Sequence, residues 1–210
     1  MKDLWKCNDK TGTCLGNIKT VGLLKNIFGR KSKAKSDESD ILSAILRVED
    51  LAFPDSTDKI TVLSKSALLL NRNDDPFFKN TDASLKNILP EQQPITSEVA
   101  NIESDEYDSC WIVFENPITQ RMINDINSVS SHIANLGLGS TMTAAIFKGV
   151  VKNKPSYWVC NYRTAKFYPL VPDGDRRDNE MEIKIGQIFT SKGIPVEPHA
   201  NWYSLSDIPF

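Results

Sequence analysis

The chain has 210 residues, 40% hydrophobic and 25% charged, which excludes wholesale disorder, a collagen-like repeat and a disulfide-dense scaffold. Its length suits one domain, or one domain with a tail, and supports a buried core without covalent staples. No apolar run approaches the roughly 20 residues that a membrane-spanning helix needs, and the net charge of −2 conceals a split along the chain.

Residues 1–35 hold nine basic and two acidic groups, a net +7, whereas the rest of the chain sums to −9. This asymmetry predicts a basic, partly disordered arm over 1–35 and a single domain over 36–210, with an anionic partner for the arm. Within the arm, Ile18, Val21, Leu24, Ile27 and Phe28 recur at helical spacing, the signature of a short amphipathic helix. Leu23 adds to its apolar surface, and Arg30, Lys31, Lys33 and Lys35 follow directly. An apolar face beside a basic cluster suits contact with an anionic membrane surface or with a protein partner. The alternative is a nucleic-acid or other anion-binding module. Nucleic-acid binding favours aromatic residues among the basic ones, and only Phe28 lies close.

The body starts with helix-favouring residues at Ser36–Asp40, and Ile41, Ile45, Val48 and Ala52 predict an amphipathic helix closed by Pro54. Ser66–Asn71 reads as a strand, residues 73–76 as a turn, 81–89 as a short helix, and Ile95–Glu103 and Tyr107–Phe114 as strands. A long helix is expected next, with Asn116 as N-cap, Pro117 as first residue and Gly137 as terminator. Its inward stripe is Ile118, Met122, Ile126, Val129, Ile133 and Leu136, a core-facing pattern. Thr141–Val150 and Ser156–Tyr162 form an expected hairpin. A strand over Lys166–Val171 belongs at a sheet edge because of Pro169. The last helix covers about 178–191, with Met181, Ile185, Ile188 and Phe189 inward, and Trp202 and Tyr203 are expected to pack the C-terminal stretch. Short turns between strands, with helices set among them, predict an α+β fold: an antiparallel sheet with helices mainly on one face.

The chemistry-bearing residues form no recognisable catalytic constellation. His132 and His199 stand apart from any cysteine or carboxylate signature. Gly137-Leu-Gly139 follows a helix and lacks the Gly-Lys-Ser/Thr of a phosphate loop. Cys110 and Cys160 sit in apolar runs and read as buried thiols, and no CxxC pair accompanies the two histidines, so no metal or other cofactor is expected. Asp173, Asp175 and Asp178 lack the glutamate of a calcium loop. An enzyme using Tyr168, Arg177 and Asp178 would need a cleft joining those three. Arg176-Arg177-Asp178-Asn179 is the densest polar cluster in the body, read as helix capping and ion pairing or as part of a partner-binding face.

Three stretches carry a resemblance: Gly22-Leu-Leu-Lys-Asn-Ile-Phe-Gly-Arg30, Phe167-Tyr168-Pro169 followed by Arg176-Arg177-Asp178-Asn179, and Pro195-Val-Glu-Pro198 before Trp202-Tyr203. Over about residues 22–203 the chain resembles the PspA-associated PspAB family. The resemblance implies a non-enzymatic partner in a phage-shock type envelope stress response, linked to PspA or to an HtpX-like membrane protease. No small-molecule substrate is implied. Phe167, Tyr168, Pro169, Arg176, Arg177, Asp178 and Asn179 become the candidate partner-binding residues. The expected place is the cytoplasm, with peripheral contact at the inner face of the membrane through the arm. The element order also looks like the fold of type III secretion chaperones and YbjN-like proteins.

Overall fold

The computed structural model describes residues 42–48, 51–53, 59–71, 98–104, 109–205 and 207–210. The expected arm, the turn at 73–76 and the helix at 81–89 lie outside the described residues. A short helical segment ends in a 3-10 turn, Ala44–Val48. The strands are β1 (Leu51–Ala52), β2 (Lys59–Asn71), β3 (Glu98–Ser104), β4 (Ser109–Glu115), β5 (Met142–Val151), β6 (Lys154–Asn161), β7 (Lys166–Leu170), β8 (Pro172–Asp173) and β9 (Arg176–Arg177). Among the described residues, two α-helices follow, α1 (Thr119–Asn135) and α2 (Asn179–Ser191).

The sheet runs β3-β4-β2-β5-β6-β7, with β1 on the start of β2, and its strand pairs are antiparallel. β2 and β5 are the two middle strands, and β2 begins seven residues before the expected Ser66. Its first half mixes Ile60, Val62 and Leu63 with polar residues and, Ile60 apart, is at most partly buried, so it lacks the unbroken apolar run that marks the second half. A register shift between Val62 and Ser66 separates the halves where β2 meets β5, as a bulge that bends the strand. The β5–β6 hairpin closes through Lys152 and Asn153, with φ values of 50° and 62°, the left-handed pair of a tight hairpin turn.

Alternation sorts the sheet residues onto two faces. Leu68, Leu70, Ile112, Phe114, Phe147, Trp158, Cys160 and Phe167 pack with Ile123, Ile126, Val129 and Ile133 of α1 and with Ile185 and Phe189 of α2. Both helices therefore cover one face, as the α+β reading expects. Ala67, Leu69, Trp111, Val113, Ile146, Val159, Tyr168 and Leu170 form the other face, where Trp202, Leu205, Ile208 and Phe210 pack. This second layer is irregular chain; Tyr157 anchors it by donating its hydroxyl to the Phe210 carbonyl at 2.9 Å.

The long helix starts later than expected. Ile118 is its N-cap, while the Asn116 side chain accepts from the Ile118 N–H at 2.9 Å, so Asn116 shapes the turn before the helix rather than capping it. The stripe ends, Ile118 and Leu136, are 46% and 45% exposed, and its middle is fully buried. Gly137 terminates the helix at φ 83° as expected. β7 is the sheet edge, in agreement with Pro169. Beyond it, Val196 bridges Phe167 in parallel: Phe167 N–H donates to Pro195 O and Glu197 N–H to Phe167 O, each at 2.8 Å.

Candidate functional site: the corner at the start of α2

The sequence after β7 reverses twice within a few residues. Gly174, at φ 59°, turns β8 back onto β9, a conformation that glycine adopts without a Cβ penalty. Asp178 then caps α2, its carboxylate accepting from the Met181 N–H at 3.0 Å, one of the orphan donors of a helix start. Its own N–H donates to Val171 O at 2.9 Å. Lys154, at the start of β6, reaches Asp173 at 3.3 Å and Asp178 at 3.5 Å. The hydrogen bond to Asp173, with that carboxylate's charge, raises the Lys154 pKa.

Behind this cap lies a buried ion pair. Glu182 is fully buried, and its carboxylate accepts from Arg177 Nε at 2.9 Å, Arg177 Nη2 at 2.8 Å and the Val171 N–H at 2.8 Å. Arg177 also donates to the carbonyls of Trp202 at 2.9 Å and Pro169 at 3.5 Å. One guanidinium thus ties together β7, α2 and the C-terminal stretch. The planar fork of arginine suits this bidentate arrangement, and a lysine would not reproduce it.

A second buried carboxylate stands nearby. Glu197 is 3% exposed; it accepts from the Thr164 hydroxyl and, at 3.5 Å, from the Asn201 amide. Its backbone carbonyl accepts from Trp202 Nε1 at 2.8 Å. Trp202 stacks on Tyr168 with centroids 6.4 Å apart and an 18° interplanar angle, and His199 meets it edge-on at 4.8 Å. Burial raises the Tyr168 and Cys160 pKa values far above their ordinary range; the Arg177 charge opposes this at Tyr168, and the Glu197 charge adds to it at both. Both therefore stay protonated at neutral pH.

On the outer side of α2 lies an open apolar groove of about 430 Å³, lined chiefly by Ile183, Gly186, Gln187, Thr190, Val196 and Trp202. Gly186 makes the groove floor possible. A Cβ there would lie 2.8 Å from the Trp202 ring, closer than real contacts allow.

The sequence candidates divide by burial. Phe167 and Tyr168 are 0% and 3% exposed and point to opposite faces of the sheet, and Pro169 is buried between them and Leu170 in β7. Arg177 is committed to Glu182, and Asp178 to the cap and Lys154. Arg176 and Asn179 are exposed. Leu23, Leu24, Ile27, Phe28, Arg30, Lys31, Lys33 and Lys35 lie outside the described residues. Of the two aromatics expected to pack, Trp202 does so and Tyr203 is 60% exposed.

Sequence reasoning passed over Glu182, Glu197 and Gly186. Glu182 carried a usable signal: it shares a helical stripe with Ile185 and Phe189, and an acidic residue on a buried stripe needs a cation.

The family model described as PspA associated protein B matches residues 21–210. The chain belongs to the PspAB family. No curated protein and no solved structure matches the chain. The PspAB description rests on association with PspA, not on a reaction, and ties the chain to the PspA system. The stretch from Phe167 to Asn179, which carried the resemblance, is the part that builds the α2 corner. Among the described residues, no helix is long and apolar enough to cross a membrane.

Proposed function

We propose that the chain is a non-enzymatic adaptor in an envelope stress response, binding PspA or an HtpX-like membrane protease from the cytoplasmic side. The observation that carries the reading is the α2 corner. Arg177 and Glu182 satisfy one another there, so the corner is stiff, and it presents Arg176 and Asn179 outward. Exposed arginine on a preorganised support is a frequent anchor at protein interfaces. Phe167, Tyr168 and Pro169 act in this reading from inside, holding β7 beneath the corner. The body over 36–210 supplies this surface, and the basic arm over 1–35 supplies a second contact, to PspA or to anionic lipid.

Affinity purification from native cell extract tests the reading. The wild-type chain should recover PspA or a membrane protease, and Arg176→Glu with Asn179→Lys should lose it while keeping the fold. Recovery of neither partner by the wild type overturns the adaptor reading. Flotation with phosphatidylglycerol vesicles tests the lipid contact, which Phe28→Glu should abolish.

The net +7 of residues 1–35 supports a second reading, nucleic-acid binding by the arm. Binding to a duplex would then weaken steeply with salt; a flat salt response dismisses it.

A further inference from the structure

We infer that the sheet face opposite the helices is a peptide-binding face, and that residues 203–210 are a displaceable strap occupying it in place of a partner protein's extended segment. The face is one continuous apolar row. Tyr168, Val159, Ile146, Ala67 and Val113 pair in succession from β7 to β4, five strands that span about 19 Å. Both helices lie on the other side of the sheet, so this row depends on something else to exclude water.

The chain that covers it is neither helix nor strand. Leu205, Ile208 and Phe210 pack onto the face while remaining half-buried themselves. The sheet residues beneath are at most 6% exposed. Among the described residues, no backbone hydrogen bond ties 203–205 or 207–210 to a strand; the Phe210 N–H donates to Ile208 O, within the strap. Side chains alone hold this cover, whereas a ladder of backbone bonds holds each strand.

The strap has a firm end and a light end. Trp202 is fixed through its indole N–H to Glu197 O, its carbonyl to Arg177 and its ring to Tyr168. At the far end, Phe210 is held by the Tyr157 hydroxyl on its carbonyl at 2.9 Å, with Lys148 Nζ 5.9 Å from its ring centroid. Lys148 and Tyr157 are cross-strand partners, so one pair of sheet residues makes this anchor. Between the ends, Asp207 stands at φ 59°, a left-handed conformation that costs any residue with a Cβ and relaxes on release. Swinging out from Trp202 gives up these few contacts and leaves the sheet and both helices whole, the condition for local opening.

The strap itself shows what the face accepts. It presents an aliphatic residue at 205, another at 208 and an aromatic at 210. A partner segment with that spacing offers the same carbonyl to Tyr157 and the same ring to Lys148, whose ammonium favours an aromatic face. It competes with a tethered rival whose effective concentration is in the millimolar range, about what a short linker provides. The strap therefore sets a threshold: weak peptides are excluded, and a tight one displaces it. A partner seated on Arg176 and Asn179 needs no movement of the strap, so this inference stands apart from the corner reading.

A peptide assay on the full chain tests it, with a fluorescein-labelled synthetic copy of residues 201–210 as the probe and anisotropy as the readout. Leu205→Ser with Ile208→Ser frees the strap, and this chain should bind the probe about tenfold more tightly than the wild type. A probe carrying the same two serines should bind neither. Adding Lys148→Glu to the freed chain should weaken binding severalfold, which places the probe on this face. A freed chain that keeps its near-ultraviolet circular dichroism yet binds no better than the wild type overturns the inference. Probe binding indifferent to Lys148→Glu overturns it as well. Should the double variant fail to fold, Phe210→Ser alone, which loosens only the light end, decides by the same comparison.

Discussion

Arg177 holds Glu182 through two parallel hydrogen bonds of 2.9 and 2.8 Å, with the carboxylate fully buried and the guanidinium side chain 16% exposed. The remaining donors of Arg177 reach Trp202 O and Pro169 O, so the pair also fixes where the C-terminal stretch leaves α2. A pair of this kind reports through its single variants, because each leaves a charge without its partner. Arg177→Ala and Glu182→Ala should each cost about 3–5 kcal/mol in chemical denaturation. The double variant Arg177→Met with Glu182→Leu should recover most of that loss. Equal losses in the single and double variants would refute a role resting on charge pairing.

Gly149 has an indole where its side chain would be. A Cβ at that position would lie 2.4 Å from the Trp158 ring, and Trp158 is pinned by Nε1 donating to Thr61 O at 3.0 Å and by Phe189 edge-on at 5.4 Å. Gly149→Ala should therefore destabilise the chain by about 1–3 kcal/mol through overpacking and disturb near-ultraviolet circular dichroism. Trp158→Phe in the same chain should relieve the clash in part.

Ser66 ends the bulge in β2 with a buried hydroxyl that has no hydrogen-bond partner among the described residues. An unsatisfied buried hydroxyl costs about 1–3 kcal/mol. Ser66→Ala should accordingly raise stability by about 1 kcal/mol, read as a higher denaturant midpoint with unchanged slope. A loss of stability would show that the hydroxyl is satisfied.

Cys160 and Tyr168 make stability fall in alkali. Burial raises both pKa values above their ordinary 9.0 and 10.0. The unfolded chain then gives up these protons first. Their contribution is complete below pH 9 and declines as pH rises past the ordinary values, because the unfolded state binds fewer protons than the folded one. The Cys160→Ala and Tyr168→Phe variants should each flatten the decline between pH 9 and 11. The native Cys160 thiol should also resist alkylation at pH 8 until the chain unfolds.

The sequence by itself determined the local structure wherever one short window carried enough information. The stripe from Met122 to Ile133, Gly137 at the end of α1, Pro169 on an edge strand and Asp178 at the start of α2 all follow from periodicity and backbone chemistry near each residue. The family, too, was legible in short motifs. Tertiary structure alone decided what those motifs do. Phe167, Tyr168 and Pro169 read as surface candidates, yet their burial depends on Val196 and Trp202, some 30 residues further on. The first half of β2 carries the β-branched run Ile60-Thr61-Val62, a strand signal that sequence reasoning passed over, and it pairs with β5, more than 80 residues later. Arg47 meets Gly193 across 146 positions of sequence, whereas Glu182 pairs with Arg177 only five residues away. Propensity acts over a few residues, whereas the neighbours of an edge strand are set by packing across the whole chain, and no local window contains them.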